Sequence, residues 1–363
     1  MEDFKTINFS SWEDKARKDL KTAEAYQNLY SNWDGITIGP YYDQSRIPDT
    51  ATAFYNHFST SSPEGTPRLW YNMERIRVTT AKTANARALQ ALMNGAEGIH
   101  FILDEACDAE ALLQDILPQY IYLAFTIQDA RMADNLRTWL DKLDVDRGQI
   151  RMYISIDGSA SDFVHHIELF DAWPNIRILH FQVDQDRDQP VADLAAILKK
   201  VSDTFEELTN QGVHADKVAG RLTFAVSLGP KFFQEIIRLR ALRILVYKLC
   251  RAWGAATEPE NILIHAVSEP WIREEFQPRG NMIKSATTGI AGVLGGAGLL
   301  TVLPEDPESE LQQRIARNVS IILKEESYLD KTRDPIGGAY YVETLTDDLA
   351  RKAWSEFQKI VQV

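Results

Sequence analysis

Seven histidines and one glycine-rich run are the first places in this chain to look for chemistry. His180 and His265 each fall inside an apolar, β-branched run, and His265 lies toward the end of its own. An imidazole so placed is either a hydrogen-bonded core group or a ligand-contacting one, and spacing alone leaves both open. His165 and His166 are adjacent, so they face different sides of a helix and make poor co-ligands. His57, His100 and His214 stand isolated. No paired-histidine pattern of zinc type occurs, so no metal is expected. The run Gly295-Gly296-Ala297-Gly298 resembles a phosphate loop in composition only. Such a loop follows a strand and opens a helix, whereas here a helix ends and a strand begins, so a helix C-cap and tight turn is expected. Asp104, Glu105, Asp157 and the cluster Asp184–Asp188 sit at strand ends, where helix capping is their ordinary use. Arg238, Arg240 and Arg243 lie on a helix over 231–248 beside an apolar stripe, which a solvated face explains.

The elements that would position these residues alternate strictly. Strands are expected at Tyr71–Val78, Gly98–Leu103, Tyr120–Thr126, Ile150–Ile156, Ile176–Val183, Arg221–Ser227, Ile262–Val267 and Leu299–Leu303. Helical patterns separate them, at Ala84–Asn94, Ala109–Leu117, Met132–Leu143, Ser161–Asp171, Val191–Asn210, Lys231–Trp253 and Asn281–Leu294. Parallel strands joined by crossover helices follow. Eight such units in roughly 240 residues predict a closed (β/α)8 TIM barrel, with an open doubly wound sheet as the rival. A further amphipathic helix spans Glu308–Ser327, and a last one Asp347–Val361. The division expected is an N-terminal arm over 1–60, the barrel over 61–330, and a C-terminal helical tail over 331–363. The arm holds Trp12, Tyr26, Tyr30, Trp33, Tyr41 and Tyr42 without a strand–helix rhythm, which marks it as a subunit contact or a strap on its own barrel.

Composition narrows the function classes. The chain has 363 residues, is 45% hydrophobic and 25% charged, and carries a net charge of -13. That charge opposes nucleic-acid binding, which needs a concentrated basic surface. Cys107 and Cys250 make no disulfide framework, and the N-terminus shows no apolar signal segment, so a reduced cytoplasmic location is expected. No apolar run matches a membrane span.

Several stretches together resemble the cobalamin-dependent acyl-CoA mutase family, above all methylmalonyl-CoA mutase. They are Arg314-Ile-Ala-Arg317-Asn318, Glu325-Glu326-Ser327, and Asp334-Pro335-Ile-Gly337-Gly338-Ala-Tyr340-Tyr341-Val342-Glu343. Upstream, Arg238-Leu-Arg240-Ala-Leu-Arg243 and the His265–Ser268 segment join them, and near the start Asp34-Gly35-Ile36 and Pro40-Tyr41-Tyr42. The resemblance implies a barrel whose axis is threaded by a CoA ester, while a separate domain presents adenosylcobalamin, which supplies the radical chemistry. It further implies Arg221, Thr223 and His265 as substrate-side candidates. The departures carry equal information. No cobalamin-binding domain or lower-ligand histidine is expected within these residues, and Thr52-Ala-Phe54-Tyr55-Asn-His57 replaces a family Thr-Met-Tyr segment. Phe181 and Gln182 align with the reaction-centre Tyr-His pair, or His180 does if the alignment slips. The pattern resembles the non-catalytic small subunit of heterodimeric bacterial enzymes. It implies no cofactor held by this chain, and a catalytic mutase subunit as partner, or a homodimer when the chain is alone. The alternative it leaves is a barrel that is catalytic once joined by a separate cobalamin-binding chain.

Overall fold

A computed structural model of the chain describes residues 8–47, 70–183, 188–269 and 280–361. The segment Thr52–His57, the polar loop Ser59–Thr66 and most of the acidic cluster Asp184–Asp188 lie outside the described residues. The arm contributes helices α1 (Phe9–Leu20) and α2 (Ala23–Gln27), then a hairpin of β1 (Ser31–Trp33) and β2 (Ile36–Ile38). Asn8 and Thr22 cap the two helices by accepting from Ser11 and Ala25 N–H.

Parallel strands follow in ring order: β3 (Tyr71–Arg77), β4 (Gly98–Leu103), β5 (Tyr122–Ile127), β6 (Arg151–Ile156), β7 (Ile176–Arg177), β8 (Leu179–Val183), β9 (Leu222–Leu228), β10 (Leu263–Ser268) and β11 (Leu299–Thr301). β7 and β8 are two pieces of one strand. Ile176 and Arg177 pair with β6, while Leu179–Val183 pair with β9. Between the pieces, the N–H groups of Ile178 and Leu179 both donate to Arg221 O, at 3.2 and 3.0 Å. This is a β-bulge, with two residues facing one. Since β11 also pairs with β3, the ring closes, as the eight-unit rhythm predicted.

The helices of the shell are α3 (Ala81–Met93), α4 (Ala109–Leu112), α5 (Arg131–Asp141), α6 (Ala160–Leu169), α7 (Pro190–Asn210), α8 (Ala215–Gly220), α9 (Phe232–Ala252), α10 (Gly280–Leu294), α11 (Glu310–Glu325) and α12 (Tyr340–Val361). α4 is a single turn rather than the expected 109–117, because the chain turns back through Asp115 at φ +59°. α12 begins seven residues before the expected Asp347. It packs along α7 and α9, so the segment expected as a tail is laid onto the shell. No helix among the described residues is long and apolar enough to cross a membrane.

Two glycines show what the packing demands. Gly98 faces the barrel interior, where a Cβ would lie 2.4 Å from Met73 Sδ and 2.5 Å from Tyr122 O. Gly295 ends α10 and lies against α9, where a Cβ would meet Leu239 Cβ at 2.8 Å. The next residue, Gly296, takes φ +88°, which closes the C-cap turn expected for this run. Gly295→Ala should therefore cost about 1–3 kcal/mol by overpacking. Urea unfolding reads this directly, and an unchanged midpoint would mean that α9 and α10 yield at no cost.

Candidate functional site

The barrel axis is where a ligand would thread, and its residues follow from strand alternation. Inward positions on neighbouring strands stand in register: Arg75 with His100, Ala124 and Tyr153, and His180 with Thr223 and Leu263. Gln182, Ala225, His265 and Leu299 form another such row. These rows converge on a buried aromatic and polar plug. Tyr153 is fully buried, and its hydroxyl lies 2.9 Å from His265 Nδ1. His265 Nε2 lies 2.8 Å from Thr301 Oγ1, and His100 Nε2 lies 2.9 Å from Thr126 Oγ1. The arrangement is consistent with the phenol donating to Nδ1 and a neutral imidazole donating through Nε2 to Thr301. His180 stacks on the Tyr153 ring, with centroids 5.0 Å apart and planes at 17°. Met73, Tyr122, Leu263 and Leu299 pack around this group and fill the middle of the barrel.

Burial sets the protonation states. It drives the pKa values of His100 and His265 well below the ordinary imidazole value, with the Arg75 charge acting in the same direction. Burial lowers His180 to about 4, opposed by a hydrogen bond with Gln182. Burial also raises the Tyr153 phenol far above its usual range. The plug is neutral at physiological pH.

The structure brings some of the sequence-derived candidates together and separates others. His180, Thr223 and His265 reach the axis. The Thr223 hydroxyl is buried there with no hydrogen-bond partner among the described residues. Phe181 points outward into the layer between sheet and helices, where it stacks on Phe224 at 5.6 Å. Gln182 faces inward but is exposed. Arg221 does not face the axis. Its guanidinium donates to the carbonyls of Trp173 (2.8 Å), Phe170 (3.1 Å) and Ile176, tying the segment between α6 and β7 to the start of β9. The plug residues not foreseen are His100, Tyr153, Thr126 and Thr301. Inward alternation within their strands was the available signal for the first three.

The residues behind the family resemblance are joints of the scaffold. Arg240 binds Asp334 at 2.8 Å and Glu343 at 2.6 Å, all three nearly inaccessible. Arg243 donates to the carbonyls of Pro259 (2.7 Å), Ile262 (2.8 Å) and Gly296 (2.6 Å). Arg317 forms a two-pronged bond with Glu74 at 2.8 and 3.1 Å. The axis residues do not fit as ligands of a cobalt ion. Both nitrogens of His265 are engaged, and His180 lies flat on Tyr153 inside the barrel. Among the described residues no group of three or more His, Cys, Asp or Glu is placed to hold a metal ion.

This is a closed (β/α)8 barrel with a filled axis, the fold implied for the mutases. The family profile described as methylmalonyl-CoA mutase matches residues 149–363, more than half of the sequence, and the chain belongs to that family. The chain is similar to the methylmalonyl-CoA mutase small subunit of Porphyromonas gingivalis, at 26% identity over 99% of this chain and 63% of that one. It is 28% identical to the small subunit of Streptomyces virginiae, covering 95% of this chain and 61% of that one. Against a methylmalonyl-CoA mutase of Cereibacter sphaeroides it is 24% identical over 98% of this chain and 58% of the other. The chain thus spans about three fifths of the length of these relatives.

Proposed function

We propose that this barrel is a small-subunit-like, non-catalytic component that supports a catalytic mutase partner in the cobalamin-dependent interconversion of methylmalonyl-CoA and succinyl-CoA. The observation that carries the reading is the plug. A pantetheine chain threading the axis would have to displace Tyr153, fully buried and stacked or bonded on two sides by His180 and His265. Displacing it would cost several kcal/mol of lost packing and unpaired polar groups. Two relatives being called small subunits supports the same reading, since a small subunit presupposes a larger one.

The arm supports a division of labour in partner contact. Its hairpin belongs to this barrel: Trp33 and Ile36 are buried, Asp34 accepts from Val191 N–H at 2.8 Å, and Lys352 donates to Gly35 O. α1 buries none of its residues. From it Phe9 and Trp12 form a half-exposed cluster with Tyr41, with Trp12 stacked on Tyr41 at 5.2 Å. Residues 8–28 are therefore the part suited to a second chain. Deleting residues 1–28 should abolish association with the partner, or with a second copy, while circular dichroism shows the barrel intact. A truncated chain that still elutes as the full complex would place the interface elsewhere.

The test of the non-catalytic reading is turnover. Purified chain supplied with methylmalonyl-CoA, adenosylcobalamin and a separate cobalamin-binding mutase domain should form no succinyl-CoA above a control lacking the chain. Measurable conversion would instead favour the catalytic alternative.

A further inference from the structure

The C-terminal rim of the barrel holds a feature that neither the plug nor partner support uses. Arg75 faces inward near the end of β3. The other arginines of this rim are already paired: Arg77 with Asp104, Arg317 with Glu74, and Arg87 with Glu308 at 3.9 Å and Pro307 O at 3.3 Å. Arg75 has no hydrogen-bond or ion-pair partner among the described residues. Its side chain stays solvent-accessible, yet it sits deep enough for burial to lower its pKa. A guanidinium at the floor of a bowl has both properties. Beside it opens a cavity of about 390 Å³ whose charged lining is Arg75, Arg77, Arg87 and Arg317 together with the acids Glu74 and Glu308, with Leu303 and Pro304 from the segment after β11 as an apolar wall.

We infer that this cavity is an oxyanion site in which Arg75 grips the phosphate or carboxylate group of a small molecule. Arg77, Arg87 and Arg317 are matched by Asp104, Glu308 and Glu74, so the net positive charge at this cavity is that of Arg75. A guanidinium fork matches the paired oxygens of either group, and an apolar wall strengthens the contact by excluding water. The C-terminal face of a β/α barrel, with the loop after strand eight, is a general location for such ligands. The volume suits a small molecule, and the filled axis leaves the rim as its entrance. The inference holds whether or not the partner reading does.

Isothermal titration of the full chain with inorganic phosphate, and separately with succinate, tests it. Binding of either in the millimolar range or tighter is expected, and the arm that gives heat assigns the group. Arg75→Gln should weaken that binding about tenfold or more. Arg75→Lys keeps the charge but loses the fork, and should weaken it about threefold or more. An anion on Arg75 also relieves part of the field on His100 and His265, so their imidazole NMR signals should move during the titration and stay still in Arg75→Gln. Absence of heat from both ligands overturns the proposal. So does undiminished binding in either variant.

Discussion

Arg240→Met should be the most damaging single change in this protein, lowering the free energy of unfolding by about 3–5 kcal/mol. The guanidinium is wholly buried and is the common partner of Asp334 and Glu343, which are 4% and 3% exposed. Burial already raises the Glu343 pKa despite this pairing, so the carboxyl has little margin once the cation is gone. Removing one member of a buried ion cluster leaves its partners charged and unsolvated, which costs far more than the cluster gains by forming. Combining R240M with D334N and E343Q removes those charges and should recover a large part of the loss. Urea unfolding of the single and triple variants reads both effects. A triple variant no more stable than R240M would mean that lost packing between α9 and α12, and not stranded charge, dominates.

The second large effect is acid destabilisation from the axis. His100, His180 and His265 have folded pKa values depressed below 6.5. The unfolded chain therefore binds more protons than the folded one as pH falls through 6.5, and stability falls with it. At pH 5, about 1.5 units below the unfolded value, each neutral buried imidazole should have lost about 2 kcal/mol of its contribution at pH 7. Glu343 and Asp348, raised by burial, act in the opposite sense. His265→Gln keeps hydrogen-bonding capacity toward Tyr153 and Thr301 without a titrating ring. It should shrink the difference in unfolding free energy between pH 7 and pH 5 by about 2 kcal/mol. An unchanged difference would show that His265 is protonated, or solvated, in the fold.

The barrel was legible in the sequence because all eight strand–helix units declare themselves by periodicity alone. The axis was legible only in part. Strict alternation from Arg177 places Leu179 and Phe181 inside. The bulge at Ile178–Leu179 shifts the phase by one residue, so His180 and Gln182 turn inward and Phe181 turns out. A bulge in a run such as Ile-Arg-Ile-Leu-His-Phe leaves no mark of its own, which is why Phe181, Gln182 and His180 could not be told apart by alignment. Arg221 was a candidate through the family resemblance alone. Its partners in the fold are three backbone carbonyls supplied by residues 170–176, which no motif match in the sequence reveals. His100, separated by 53 residues from Tyr153 and by 165 from His265, belongs to a cluster assembled only by closure of the ring. The arginines and acids of the family resemblance were found as motifs, while their meeting at Arg240–Asp334–Glu343 became visible only in three dimensions.

Recovery of the tagged full chain from its native host, with every stoichiometric companion identified by mass spectrometry, tests the central claim most directly. The expected result is a one-to-one complex with a second, catalytic mutase chain, in which cobalamin follows the partner when the two are separated. Recovery of this chain without such a partner, in a form that converts methylmalonyl-CoA when given adenosylcobalamin, would contradict it.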